Sequence, residues 1–133
     1  SFVFCYDGQN VVKVRDITGY NNLLEALESI EIHNFLFPET AMSILGFGRS
    51  DGEFAIIFTQ PFIEGEHPTN EEIELYMHLK FGAEKDESVL GGTSYRTKEY
   101  LLQDLKPQNI IVNNEGRFFI IDGDFYRRNF SSV

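Results

Sequence analysis

Short apolar runs separated by turn residues open the chain and predict a β-hairpin. The runs 2–6 and 11–14 are rich in valine and aromatic residues, and the pair Asp7-Gly8 stands between them. An Asp-Gly pair flanked by such runs is a strong short-range signal for a hairpin. Lys13 therefore lies inside the second predicted strand.

The segment after this hairpin has the spacing of a helix. Leu24, Leu27 and Phe35 recur at near-helical intervals, and Pro38 follows them. Because proline lacks the backbone N–H that a helix interior requires, it ends the pattern. We expect a helix over about 21–34.

A second helix is predicted by its two ends. Thr69 and Glu72 have the spacing of a capping box, and a glycine stands just after residue 81. We expect this helix over about 70–81.

The segment 82–97 is polar and rich in glycine, so we expect a mobile loop there. A short strand-like run follows at 99–102.

Two further hairpins complete the predicted elements. Turn-forming residues at 48–52 separate the apolar segments 41–47 and 53–62. In the same way, a turn at 114–116 interrupts the apolar stretch 109–122. The chain is therefore expected to be of the α+β class.

Composition limits the kinds of partner. The chain of 133 residues fits one domain, and its formal charge of −10 would repel a nucleic-acid backbone, so no nucleic acid is expected. No apolar run approaches the roughly 18 residues of a membrane span. A single cysteine, Cys5, excludes an internal disulfide, and no secretory leader is evident. We expect a soluble protein in a bacterial or viral cytoplasmic setting.

Three polar residues lie around the last predicted hairpin. Asp104 and Asn109 flank a loop that contains Pro107, and Asp122 follows the second apolar strand. Closing the hairpin brings Asn109 and Asp122 to the same end. An amide oxygen beside a carboxylate suits Mg²⁺, which keeps several waters and binds phosphate oxygens. Asp104 would then lie across the gap, where it could accept a hydroxyl proton.

These residues carry a resemblance to a known family. The segment "DLKPQN", 104–109, resembles part of the protein-kinase catalytic loop, and "IIDGD", 120–124, stands where kinases have the Mg²⁺-binding Asp-Phe-Gly. Together with "HNFLFPETAMSILGFG" and "QPFIEG", the chain most closely resembles the divergent kinase-like domain of polyvalent proteins from bacterial phages and conjugative elements.

The resemblance implies a role for each residue of the catalytic loop. Asp104 would be the catalytic base and Lys106 a contact to the γ-phosphate of ATP. Asn109 and Asp122 would hold Mg²⁺. The alternative without a function is that the polar residues at the ends of the hairpin face water.

The resemblance also implies a nucleotide site in the first half of the chain. Lys13 would contact the phosphates and pair with a glutamate of the first helix, for which Glu28 is the first choice and Glu25 and Glu31 the alternatives. Extended backbone at residues 60–62, from Gln60 to Phe62, would meet the adenine edge, although Pro61 removes one donor. A lone strand lysine is otherwise often a solvated edge residue.

Several features depart from the kinase pattern. Leu102-Gln103 replaces the His-Arg pair, and Asp122-Gly123-Asp124 replaces Asp-Phe-Gly, which removes the phenylalanine switch and adds a third carboxylate. No glycine-rich phosphate loop precedes Lys13, and "GFGRSDG" at 46–52 is interpreted as a turn. No activation segment or large helical lobe is expected.

The sequence therefore predicts a reduced protein-kinase-like fold over 1–133. Residues 1–60 would be N-lobe-like, with two hairpins and a helix, and residues 61–133 a reduced C-lobe-like part with a short helix and the catalytic-loop hairpin. The expected function is Mg²⁺- and ATP-dependent phosphorylation of a hydroxyl, on protein Ser, Thr or Tyr. The alternative is an inactive pseudokinase that docks to neighbouring domains of a larger protein.

Overall fold

The structure is a computed structural model that describes residues 2–5 and 7–128, without the side chains at positions 2, 4 and 5. The fold is α+β, as predicted, with antiparallel sheets and two α-helices among the described residues. The chain divides into two compact units, Ser1–Ile63 and Glu64–Val133.

The first unit contains a four-stranded antiparallel sheet. The strands lie in the order β1-β2-β4-β3, and their bounds are β1 Phe2–Cys5, β2 Asn10–Asp16, β3 Ser43–Ser50 and β4 Glu53–Pro61. Both predicted hairpins, β1–β2 and β3–β4, are therefore confirmed. The predicted extension of the first strand to Tyr6 lies outside the described residues.

The helix of this unit, α1, spans Leu23–Leu36. It begins two residues later than predicted because the side chain of Asn22 caps its N-terminus, accepting a hydrogen bond from the Glu25 N–H at 2.9 Å. Its apolar side packs on the sheet to form a core of Ala26, Ile30, Met42, Ile56 and Phe58. Burial of this face, rather than helix propensity, stabilises so short a helix.

The β3–β4 turn is shorter than predicted. Only Asp51 and Gly52 form it, with φ of 51° and 82°, and two successive positive φ values are those of a type I′ hairpin turn. The segment Gly46-Phe47-Gly48, which we interpreted as part of the turn, lies within β3 instead. Pairing with β4 therefore outweighs the turn preference of its glycines.

The second unit begins with helix α2, Asn70–Phe81, which matches the predicted range. The capping box is present: the Glu72 N–H donates to the Thr69 hydroxyl at 3.2 Å, and the Thr69 N–H donates to the Glu72 carboxylate at 2.9 Å. Gly82 ends the helix with φ of 64°, a left-handed conformation that costs glycine little. Both helix ends could thus be read from the sequence.

The segment 82–97 is more ordered than a mobile loop. Two short strands lie in it, and Ala83, Ser94 and Tyr95 are buried. The two short strands are β5 Glu84–Lys85 and β6 Tyr95–Arg96. They join β7 Tyr100–Gln103 and β10 Asp124–Arg127 in a sheet of order β10-β7-β6-β5. Strands of two residues have too little pattern to be seen in a sequence, and β10 was not predicted.

The last predicted hairpin is confirmed as β8 Ile110–Val112 paired with β9 Phe118–Ile120. Residues 113–117 connect the two strands, and Gly116 has φ of 78°. Within the described residues, neither α-helix has the length and apolar composition that crossing a membrane requires.

Candidate functional site

Two strand pairs bracket the loop that carries the predicted catalytic residues. Before the loop, Gln103 of β7 lies opposite Asp124 of β10, and after it Ile110 lies opposite Ile120. The loop 104–109 and the segment 121–123 are therefore held side by side between the two pairs. The pairing of β7 with β10, which we did not predict, fixes one end of this arrangement.

Asp104 has an unusual backbone conformation. Its φ is 59°, in the left-handed region that a non-glycine residue adopts only at an energetic cost. Asp51 is the other such residue among those described, and it lies in a hairpin turn that requires this conformation. No hairpin turn requires it at Asp104, and strained backbone of this kind is concentrated at functional sites.

The side chains of Asn109 and Lys106 both approach Asp104. The Asn109 amide donates from Nδ2 to the Asp104 backbone oxygen at 2.8 Å and to its Oδ2 at 3.2 Å. Lys106 Nζ lies 3.6 Å from Asp104 Oδ1. The Asp104 carboxylate is thus oriented by an amide on one oxygen and by an ammonium group near the other.

Leu105 anchors the loop from below. Its side chain is fully buried, and its N–H donates to the Thr93 carbonyl at 2.9 Å. Packing and a hydrogen bond therefore both fix Leu105, the residue that follows the strained Asp104. Thr93 belongs to the segment that we expected to be mobile, so its contribution was missed.

Asp122 follows β9 and is half-buried. Its Oδ1 accepts a hydrogen bond from the Gly123 N–H at 2.8 Å, and the N–H of the preceding Ile121 donates to the Asn109 carbonyl at 2.9 Å. This backbone bond places Asn109 and Asp122 at the same end of the hairpin, as predicted. Asp124, the third carboxylate, is the first residue of β10 and is also half-buried.

Gly123 is required by close packing. A Cβ at this position would lie 2.6 Å from Cζ of Phe125, whose side chain is buried, and 3.3 Å from the Gln103 backbone oxygen. The phenylalanine of the kinase Asp-Phe-Gly would not fit here without a shift of this region. The ring of Phe125, two residues later, fills the adjacent interior space instead.

The donor atoms of this loop fit a magnesium ion that keeps most of its water. Because Nδ2 of Asn109 is engaged with Asp104, the side-chain oxygen of Asn109 remains for a cation. Among the described residues, no group of three or more His, Cys, Asp or Glu side chains could hold a metal by itself. One amide and one or two carboxylates, with phosphate oxygens supplied by a nucleotide, match the preferences of Mg²⁺.

Lys13 lies on β2 in the first unit and is only 9% exposed. It is opposite Phe58 of β4, and opposite residues of an antiparallel pair share a face of the sheet. Since Phe58 packs with Ala26 and Ile30 of α1, Lys13 is on the face that the helix covers. The alternative interpretation, in which Lys13 is a solvated residue on an edge strand, therefore does not apply.

The three glutamates of α1 differ in their surroundings. Glu25 accepts hydrogen bonds from both the N–H and the Nδ2 of Asn21, each at 3.1 Å, and so belongs to the start of the helix. Glu28 and Glu31 are exposed as whole residues. Glu28 lies one turn before Ile32, which is 2% exposed, so it borders a buried flank of α1.

The predicted adenine contact falls at the end of β4. Gln60 is 2% exposed, and its Nε2 donates to the Thr40 carbonyl at 2.7 Å. The Phe62 N–H donates to the Gln9 carbonyl at 2.7 Å. Both groups are therefore engaged in hydrogen bonds within the first unit.

The predicted site residues thus form two sets. Asp104, Lys106, Asn109 and Asp122 are gathered in the second unit, and Lys13, Glu28, Gln60 and Phe62 lie in the first. Sequence reasoning missed β10 and the Thr93 carbonyl. The aromatic pair Phe125-Tyr126 was a signal for β10, whereas a backbone carbonyl leaves none.

A kinase-like domain is the class of protein that these features define. A family model described as a serine/threonine/tyrosine kinase found in polyvalent proteins matches residues 1–129, and the chain belongs to this family. The resemblance noted in the sequence is therefore confirmed. Comparisons with curated proteins and with solved structures found no match.

Proposed function

We propose that this domain is a phosphotransferase that uses Mg²⁺ and ATP to phosphorylate a hydroxyl, on protein Ser, Thr or Tyr side chains. The observation that carries the proposal is the geometry around Asp104. Its strained backbone, the Asn109 amide on its oxygens and the nearby Lys106 ammonium group are together hard to explain as a solvated hairpin end.

Asp104 acts in this proposal as the group that accepts the proton of the attacking hydroxyl. The hydroxyl oxygen forms a bond to the γ-phosphorus, the bond to the β-phosphate oxygen breaks, and ADP leaves. Lys106 neutralises charge on the transferred group. When bound by Asn109 and Asp122, Mg²⁺ supplies charge neutralisation at the phosphates. The protein thus contributes position and charge rather than a covalent intermediate.

Lys13 is the proposed phosphate-binding group of the first unit. Lys13 is 9% exposed as a residue, and a buried lysine carries a charge that is costly unless carboxylates or phosphates compensate it. With Glu25 bonded to Asn21, the proposed helix partner is Glu28, with Glu31 as the alternative. A carboxylate there would hold the lysine extended towards a nucleotide.

The adenine contact is proposed for the backbone of residues 61–63. Successive residues of a strand direct their N–H and carbonyl groups to opposite sides. Because the Phe62 N–H is turned towards Gln9, the carbonyl of Pro61, the last residue of β4, faces the other way. This carbonyl offers an acceptor for an adenine edge, and the Ile63 N–H, in the segment that follows the strand, is proposed as the donor.

The second candidate is a pseudokinase that binds a nucleotide or a neighbouring domain without transferring phosphate. The engaged N–H of Phe62 and the missing phenylalanine at Gly123 favour it, because both depart from a regular kinase site. This candidate keeps the fold and the nucleotide site but makes the proton acceptor at Asp104 unnecessary.

Thermal unfolding with and without 5 mM Mg²⁺-ATP, paired with a transfer assay, tests the proposal. We expect Mg²⁺-ATP to stabilise the wild type, by about 2.7 kcal/mol at a ligand concentration of roughly 100 times Kd. Labelled phosphate should also pass to a mixed Ser/Thr/Tyr peptide library. Asp122→Ala should lose most of the Mg²⁺-dependent stabilisation, while Asp51→Asn, in the hairpin turn, should behave as the wild type.

Three outcomes contradict the proposal. Stabilisation without any transfer leaves the pseudokinase, and equal stabilisation of Asp122→Ala and wild type removes Asp122 from the metal site. No stabilisation at millimolar nucleotide indicates an interaction domain without a nucleotide.

A further inference from the structure

Strand β3 forms one edge of the sheet in the first unit, and its composition is unusual for an edge. It is eight residues long, it contains no proline or lysine, and Arg49 is its charged residue. Leu45 and Phe47 are 61% and 52% exposed. Proteins commonly protect an edge with short strands, prolines, charged side chains or β-bulges, since an unprotected edge is a template for another strand. The register of β3 shifts between Ile44 and Gly46, near its start, and residues 46–50 then pair regularly with β4.

The directions of the backbone groups on β4 follow from a hydrogen bond at its start. The Ile17 N–H donates to the Phe54 carbonyl at 3.2 Å, so Phe54 faces the β2 side. Alternate residues of a strand face opposite neighbours, and Ala55 therefore faces β3. Its partner there is Gly48, whose backbone groups are used within the sheet.

The same alternation assigns the outer edge of β3. Phe47 lies opposite Ile56 and Arg49 opposite Phe54, and both of these β4 residues face β2. The N–H and carbonyl groups of Phe47 and Arg49 therefore point away from the sheet. In the part of the chain that the structure describes, no strand pairs with this side of β3.

We propose that two copies of this chain associate by antiparallel pairing of their β3 edges. The two-fold axis passes between the Gly48 residues, so that Phe47 of one copy lies opposite Arg49 of the other. Each of the two Phe47–Arg49 pairs then exchanges a pair of N–H···O=C bonds, which satisfies the outward groups of both strands.

The side chains make this register self-complementary. The Arg49 guanidinium group donates from Nη1 to the Gly52 carbonyl of its own turn at 3.1 Å. Opposite residues share a face of the sheet, so the same guanidinium group lies beside the aromatic ring across the interface, a favourable cation–π arrangement. Gly48 opposite Gly48 adds no side chain at the closest approach of the two backbones. Each β3 strand thus supplies an aromatic ring for the arginine of the other copy and a guanidinium group for its phenylalanine.

The overall charge opposes this association and should make it depend on salt concentration. Two chains of net charge −10 repel each other, and salt screens that repulsion. Pairing of one short edge also buries less area than a standard stable interface. We therefore expect a weak dimer whose association constant rises by several-fold between low and physiological ionic strength.

Amide hydrogen exchange over a range of protein concentrations tests the register directly. The N–H groups of Phe47 and Arg49 should gain protection as concentration rises, while those of Gly46 and Gly48 should be protected at every concentration. Sedimentation measured in parallel should show dimer formation over the same range. This test is independent of nucleotide binding, so its failure leaves the proposed function untouched.

A matched pair of variants separates the backbone from the side chain. Arg49→Pro removes the outward N–H, which β4 does not use, so the strand should still form at its edge position. Arg49→Ala removes the same side chain and keeps the N–H. We expect Arg49→Ala to weaken the dimer by several-fold and Arg49→Pro to weaken it at least tenfold more.

Three results would overturn the inference. The first is a monomer at all concentrations, with exchange at Phe47 and Arg49 independent of concentration. The second is an equal loss of dimer in both variants, which would assign the contact to the arginine side chain. The third is a dimer that neither variant affects, which would place the interface elsewhere. If Arg49→Pro fails to fold, the exchange measurement on the wild type decides.

Discussion

Asp51 and Asp104 both have a left-handed backbone, with φ of 51° and 59°, yet their settings differ. Asp51 lies in a two-residue hairpin turn next to Gly52, where the twist of the strands demands a positive φ at both positions. Asp104 leads into a loop for which no such rule applies. Its conformation is imposed by contacts made by its neighbours, the burial of Leu105 and the amide of Asn109.

This difference separates local from tertiary causes of backbone strain. At Asp51 the sequence and the turn agree, because aspartate and glycine are common in type I′ turns. At Asp104 the surroundings hold a conformation that costs about 1–2 kcal/mol in the absence of a turn. A conformation maintained at that cost is expected where it serves the position of a side chain, here a carboxylate.

The largest expected effect follows from changing the chemistry of Asp104 while keeping its backbone. Asparagine also tolerates the left-handed conformation, but its amide cannot accept a hydroxyl proton. If the domain is a phosphotransferase, Asp104→Asn should lower phosphate transfer by about 10²–10⁴ and leave stabilisation by Mg²⁺-ATP nearly unchanged.

The same substitution at the hairpin turn is the control for this experiment. Asp51→Asn should retain the wild-type transfer rate, since its carboxylate lies in a local turn of the first unit. Comparable rates for Asp104→Asn and Asp51→Asn would remove Asp104 from catalysis and favour the pseudokinase.

A smaller effect on stability should sharpen the comparison of the two backbones. Alanine and glycine remove the same aspartate contacts, but only glycine adopts a positive φ without strain. Urea unfolding should therefore find Asp104→Ala about 1 kcal/mol less stable than Asp104→Gly, with a similar gap between Asp51→Ala and Asp51→Gly. A gap at position 51 without one at 104 would show that the loop relaxes when the carboxylate is removed.

Elements fixed by local signals and features fixed by contacts between distant residues differ in how well the sequence predicts them. The β3–β4 hairpin follows from a cluster of turn-forming residues at 48–52, and α2 follows from a capping box with a following glycine. Both elements are present. The β8–β9 hairpin likewise brings Asn109 and Asp122 to the same end, as expected. Local rules act between residues close in sequence, so one sequence suffices to read them.

The remaining features depend on contacts between distant residues. The left-handed φ of Asp104 depends on packing of Leu105 and on its hydrogen bond to Thr93. The sheet next to the loop 104–109 depends on β10, which pairs with β7 across the intervening residues 104–123. No local pattern encodes such pairings. For the same reason the sequence left three glutamates as proposed partners of Lys13.

The smallest expected effect concerns Asp86, in the segment that we had expected to be mobile. The Ser88 hydroxyl donates to its Oδ1 at 2.6 Å and the Ser88 N–H at 3.1 Å. These bonds, the side-chain one first, lower the pKa of Asp86 below its ordinary value of 3.8, and the charge of Arg96 adds to the effect.

The sign of the resulting pH dependence is fixed by that direction. Because the carboxylate is more acidic when folded, its stabilisation is complete above pH 3.8, the unfolded pKa, and is lost as the pH falls through the lower folded pKa. Urea unfolding from pH 7 to pH 3 should show a shallower loss of stability for Asp86→Asn than for wild type. Ser88→Ala, which removes only the stronger donor, should fall between them. Identical slopes for all three proteins would mean that the turn at 86–88 is not maintained in solution and that the segment is mobile after all.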